Sequence, residues 1–169
     1  MEKSRCDWCG DDPLLIEYHD TEWGFPAQTD NELFERMSLQ IFQAGLNWKI
    51  ILGKRHNFHT AFAGFNIARV ARFGEAEQQE LLADTGIIRN RLKISAVLKN
   101  ARTIEIIQKE SGSFQAFIDS QPPLLAELQK VFRNTFSFMG PEITRMFVMN
   151  IGKIPPPHDK DCWRNGRSG

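Results

Sequence analysis

The sequence predicts an all-α protein, on three observations. Apolar residues recur every three to four positions through one segment after another, strand-like alternation is nowhere sustained, and glycine or proline falls at the breaks, at Gly86, Gly112 and Pro122. The first helix the periodicity predicts is DNELFERMSLQIFQAG. Asp30 is a suitable N-cap residue, Leu33, Phe34, Met37 and Ile41 form its apolar face, and it ends near Gly45. After the turn Ala44-Gly45-Leu46, Asn47 can cap a second helix over WKIILGKRHNFHTAFAGF. There Ile50, Ile51, Phe58 and Phe62 mark the inward face, and Lys54, Arg55 and His56 the outward one. EAEQQELLAD, NRLKISAVLKNARTIEIIQKE, SFQAFI and PPLLAELQKVF repeat the helical periodicity. Pro155 to Pro157 read as a rigid lead-in to His158.

A chain of 169 residues can close one substantial core, so a single domain over 1–169 is expected. Lys plus Arg number 21 and Asp plus Glu number 21, so bulk charge points to no polyanionic partner; a nucleic-acid surface would have to be a local basic face. The apolar runs are too short for a bilayer span or a signal peptide, and a soluble, intracellular protein without a membrane partner is expected.

Three cysteines fit a disulfide framework poorly, whereas clustered Cys and His fit a metal site. Cys6 and His19 lie near one end, and His158 and Cys162 near the other. Two thiolates and two imidazoles complete a tetrahedral zinc set that would clip the two ends together. Cys6 and Cys9 also form a Cys-x-x-Cys half-site, so the spacing alone leaves Cys6, Cys9, His158 and Cys162 as a rival set.

CDWCGDDPLLIEYHDTEWGFP, QAGLNWKIILGKR, DTGIIRNRLKI with KNAR, and FSFMGPEITRMF followed by His-x-x-x-Cys occur in that order from Cys6 to Cys162. Together they resemble the 3-methyladenine DNA glycosylase I family over nearly the whole chain. The resemblance implies a helix-hairpin-helix fold, one structural zinc ion per chain held by Cys6, His19, His158 and Cys162, and excision of 3-methyladenine from alkylated double-stranded DNA. It further implies a monomeric, cytoplasmic bacterial protein working at the nucleoid.

A glycosylase takes its base out of the stack and holds it between aromatic faces. Tyr18 and Trp48 are the expected stacking residues, Trp8 and Trp23 further walls, and Gln40 the group that reads the base edge. The alkylated base is cationic in the nucleotide and already a good leaving group, so an indole face and one acceptor suffice, and a monofunctional hydrolase is expected. Gly45 and Leu46 would wedge into the gap left by the extruded nucleotide. Gly86, Arg89, Arg91 and Lys93 would grip phosphates at the hairpin.

Gln40 departs from the family pattern, which has a glutamate three residues before Gln-Ala-Gly-Leu. A neutral amide keeps one acceptor oxygen but loses the charge that complements a cationic base, at a cost of about 1.5–3 kcal/mol. The alternative to excision is a weakly active or catalytically silent paralogue that binds damaged or unusual DNA.

Overall fold

A computed structural model describes residues 2–167; Met1, Ser168 and Gly169, the outermost residues of the expected unit 1–169, lie outside the described residues. The described residues form α-helices joined by turns and loops, with no strand among them. The helices are α1 (Pro13–Thr21), α2 (Asp30–Gln43), α3 (Trp48–Gly53), α4 (Arg55–Ala61), α5 (Ile67–Val70), α6 (Glu75–Ala83), α7 (Arg91–Ser111), α8 (Phe114–Asp119), α9 (Leu125–Thr135) and α10 (Pro141–Asn150). The all-α expectation holds, as do the helices read at α6, α7, α8 and α9.

Local chemistry sets most of the boundaries. Asp12 starts α1 by accepting from the amides of Leu14 and Leu15, with Pro13 at the first helical position, where its missing N–H costs nothing. Asn90 caps α7, and Gly112 at φ +89° ends it. Asp30, expected to cap α2, lies inside that helix. The cap is Thr29, whose hydroxyl accepts from Glu32 N at 3.1 Å. The Asp30 carboxylate instead holds the start of α8, accepting from Phe114 N at 2.8 Å and Gln115 N at 3.0 Å, and also takes Gln108 Nε2 from α7 at 2.9 Å. A short-range cap and a long-range one look alike in sequence.

The expected helix after Asn47 breaks at Lys54 into α3 and α4. Two of its face assignments change as a result: Ile50 is exposed, and Arg55 turns partly inward to pair with Glu22 and, at 2.8 Å, with Glu35. Arg36 on α2 bonds Glu32 at 2.5 Å and sends Nη1 to Phe25 O at 2.7 Å. These pairs fasten the segment that follows α1, including Trp23, onto α2 and α4.

The main core is aromatic. Phe34, Phe42, Phe58, Phe62 and Phe65 are fully buried on one side, and Phe114, Phe132 and Phe147 on the other. Ala63, Gly64 and Phe65 all take positive φ, a conformation that costs roughly 1–2 kcal/mol per non-glycine residue. Burial of the Phe65 ring, stacked on Phe62 at 5.4 Å, offsets that strain. The long α7 packs on α2, α5, α6 and α8, while α10 lies between α9 and α2. A second, smaller nucleus gathers Cys6, Cys9 and Cys162 with Ile16, Trp23 and Trp163.

Candidate metal centre and base-sized cavity

The smaller nucleus brings the two ends of the chain together. The ligand atoms of Cys6, His19, His158 and Cys162 all lie within 4.8 Å of one another. Cys6 Sγ is 3.5 Å from His158 Nδ1, and Cys162 Sγ is 3.4 Å from His19 Nε2 and 3.6 Å from His158 Nδ1. A tetrahedral ion with bonds of about 2.3 Å to sulfur and about 2.0–2.1 Å to nitrogen sets neighbouring S and N atoms about 3.5 Å apart, so the four groups fit such an ion. Cys9 is buried but outside the group, and burial pushes its thiol up to about 12. The choice left open by spacing falls to His19.

The surroundings suit metal ligands. Asp20 Oδ1 accepts from His19 Nδ1 at 2.8 Å, which leaves Nε2 as the free lone pair. Arg5 and the Trp163 indole N–H hold the same carboxylate in place. Amide N–H groups of Asp159 and Arg164 point at Cys6 Sγ and Cys162 Sγ, at 3.3 and 3.4 Å. Burial, aided by Arg164, pulls His158 down to about 4, which keeps its imidazole neutral. Arg164, itself buried, donates to His19 O and Trp23 O and stacks on Phe25 at 4.0 Å.

Trp8 and Trp23 separate this centre from a cavity of about 240 Å³. The indoles meet edge to face at 5.1 Å, and Trp23 also packs on the rings of His158 at 4.9 Å and His19 at 5.9 Å. The cavity is lined by Trp8, Tyr18, Trp23, Gln40, Arg145, Met146, Met149 and Pro157. It thus joins α1, α2 and α10 to the strap that carries His158.

Gln40 is 2% exposed, and its Oε1 has no hydrogen-bond partner. A buried acceptor left bare costs roughly 1–3 kcal/mol and invites a ligand donor. The Tyr18 hydroxyl accepts from Asn150 Nδ2 at 2.8 Å. Burial, the largest cause, holds the phenol well above its ordinary value, and the hydrogen bond from Asn150 only partly opposes it, so Tyr18 stays neutral. Among the described residues, none that lines the cavity is a carboxylate or a lysine.

Four of the expected pocket residues, Trp8, Tyr18, Trp23 and Gln40, therefore line one cavity. Trp48 is not among the lining residues: its ring packs against that of Tyr18, with centroids 5.1 Å apart, and its buried Nε1 is unpartnered. Arg145, Met146, Met149, Pro157 and the supporting Asn150 were not foreseen. The first two stand in the family block FSFMGPEITRMF, where nothing local marks α10 as a wall.

Gly45 and Leu46 form an exposed turn between α2 and α3. At the hairpin between α6 and α7, Arg89 and Arg91 are exposed. Two expected phosphate contacts change. The Gly86 amide already donates to Asp84 Oδ1 at 2.8 Å. Lys93 is buried, with its ammonium on Phe42 O at 3.0 Å and Ala44 O at 2.6 Å, so it faces the protein.

Helices alone, two chain ends meeting at a Cys/His cluster, and an aromatic cavity backed by that cluster define a helical protein built to hold a small flat ligand. Residues 8–131 match the family model described as methyladenine glycosylase. DNA-3-methyladenine glycosylase 1 of Escherichia coli (strain K12) is 41% identical over 170 residues, covering 89% of this chain and 91% of the relative. A crystal structure of 3-methyladenine DNA glycosylase I superimposes with a TM-score of 0.87 at 34% identity, covering 95% of this chain and 98% of that one. A variant of 3-methyladenine DNA glycosylase I in complex with 3-methyladenine gives 0.84 at 26% identity, covering 94% and 96%. The chain belongs to the methyladenine glycosylase family.

Proposed function

We propose that this protein is a DNA base-excision repair glycosylase that hydrolyses the N-glycosidic bond of 3-methyladenine in alkylated double-stranded DNA. The observation that carries the reading is the bare Gln40 Oε1 inside an aromatic cavity, an acceptor that the exocyclic amine of an adenine-type base would satisfy. Trp8, Tyr18 and Trp23 supply the faces for the extruded base, and Trp48 stiffens Tyr18 by packing against its ring. With neither a carboxylate nor a lysine at the wall, the driving force is the substrate's own positive charge, stabilised by the indoles by roughly 0.5–2 kcal/mol. The absence of a lining amine fits a monofunctional hydrolase rather than a Schiff-base lyase.

Arg89 and Arg91 hold the DNA backbone beside the start of α7, whose dipole favours phosphate, and Leu46 with Gly45 occupies the gap in the stack. Cys6, His19, His158 and Cys162 hold one zinc ion per chain; it supplies no chemistry to the base and clips the aromatic wall in place. The protein acts as a monomer, one glycosylase domain over 1–169, in the bacterial cytoplasm at the nucleoid. No helix among the described residues is long and apolar enough to cross a membrane.

Incubating alkylated duplex DNA with folded, zinc-loaded protein and analysing the released bases tests the reading. Release of 3-methyladenine above the uncatalysed rate is expected, and none above it would overturn excision. One observation favours a second reading, a weak or silent paralogue that binds lesions: among the described residues that line the cavity, Arg145 is the only charged one, and it is a cation. That reading predicts salt-dependent DNA binding without release.

A further inference from the structure

Lys93 stands where two parts of the DNA-facing surface meet. Its backbone lies in the first turn of α7, with its amide on the Asn90 cap at 3.1 Å and the exposed Arg89 and Arg91 just before it. Its side chain crosses to the end of α2 and reaches the turn Gln43-Ala44-Gly45-Leu46. In that turn Leu46 N donates to Gln43 O at 2.7 Å, Ala44 has φ −49° and ψ 119°, and Gly45 has φ +76°. These are type II values. A Cβ on Gly45 would meet nothing within 4 Å, so glycine serves the backbone angle and not the space.

Types I and II differ by a flip of the central peptide, the one joining Ala44 to Gly45. Its carbonyl oxygen is Ala44 O, the atom 2.6 Å from Lys93 Nζ. A flip would swing that oxygen away and leave the ammonium only Phe42 O, loosening the tie between this turn and the start of α7. Lys93 is 6% exposed and, among the described residues, forms no ion pair with a carboxylate. Burying an ammonium on carbonyls alone is a costly way to fill space, and the negative end of the α2 dipole offsets only part of it.

We infer that Lys93 is a positioning residue for base extrusion: its ammonium latches the central peptide of the 43–46 turn. The hairpin that grips phosphate and the turn that enters the stack then move as one body. The inference rests on the proposed DNA reading and deepens it.

The test is Lys93→Met with three readouts. The first is duplex affinity. The second is the fluorescence of 2-aminopurine placed beside the target nucleotide, which rises when the stack opens. The third is binding of free 3-methyladenine. The arginines are untouched, so duplex affinity should stay within about twofold. Stack opening and single-turnover base release should fall about tenfold or more, the effect of removing one charged hydrogen bond. Free-base binding should not change.

Wild-type stack opening in Lys93→Met would overturn the inference, and so would an equal loss of free-base binding, the mark of general loosening. Should Lys93→Met not fold, Gly45→Ala strains the same turn while keeping the lysine, and the same split is expected; unchanged opening there would also overturn it. Wild-type protein that opens the stack without releasing base would refute excision and leave the latch standing.

Discussion

Asp20 fixes the tautomer of His19: its Oδ1 takes the Nδ1 proton at 2.8 Å, and the opposite nitrogen then faces Cys162 Sγ at 3.4 Å. Asp20→Asn keeps the size of the side chain but removes the charge that makes the ring a better donor, and a metal affinity about 10–100-fold weaker is expected. Competition with a calibrated chelator reads this directly. An unchanged zinc dissociation constant would mean that the ring is held by packing alone.

Removing the metal should reach the cavity, because His19 and His158 both press on Trp23. Chelation is expected to lower Tm and to weaken 3-methyladenine binding together. The difference that chelator makes should shrink as the pH falls, because thiolate ligands must be deprotonated to bind and protons already compete with the metal there. Calorimetry with and without chelator at two pH values checks both points.

Gln40→Glu should raise release of 3-methyladenine about 10- to 100-fold, the worth of a charge-assisted interaction of about 1.5–3 kcal/mol. It should also lower the stability of the free protein. A buried carboxylate is harder to desolvate than an amide, and Arg36, one turn earlier on α2, is already paired with Glu22 and Glu32. Single-turnover assays paired with denaturant titration separate the two effects. A variant no faster than wild type would place the limit elsewhere in the cavity.

The fold class and most helices were legible because they depend on periodicity within one segment. So were the four Cys and His side chains that come within reach of one ion and four walls of the cavity, through residues whose chemistry is rare. Contacts between segments were not. Asp30 reads as a cap for its own helix, yet its carboxylate starts α8, and Lys93 reads as a basic residue beside two arginines, yet it points inward. Trp48 carried the right residue type in the right block and packs against Tyr18 outside the lining of the cavity. In each case the side chain's direction is set by a distant partner.

Asp30→Ala should therefore destabilise the protein by about 1–3 kcal/mol, since it strips three hydrogen bonds from α7 and α8, while base release per folded molecule is unchanged. Urea unfolding reads the loss. A cost below about 0.5 kcal/mol would show that α8 holds without that anchor.

Reversing the charge at Arg89 and Arg91 should weaken duplex binding evenly across sequences. Its salt dependence should flatten by about one unit of log–log slope for each phosphate no longer neutralised. Binding isotherms at several salt concentrations measure the slope, and an unaltered slope would remove the hairpin from the DNA surface.

Pro157, a wall of the cavity, is followed directly by His158, a member of the Cys/His group. During synthesis Cys6 and His19 leave the ribosome long before their partners, and Tyr18 and Gln40 emerge without their facing wall. The cavity lacks its last wall until Pro157 is made, and the Cys/His group lacks its last member until Cys162 follows. A chain that stops between residues 151 and 161 carries α1 through α10 yet lacks Cys162, so the Cys/His group that joins the two parts of the chain stays incomplete.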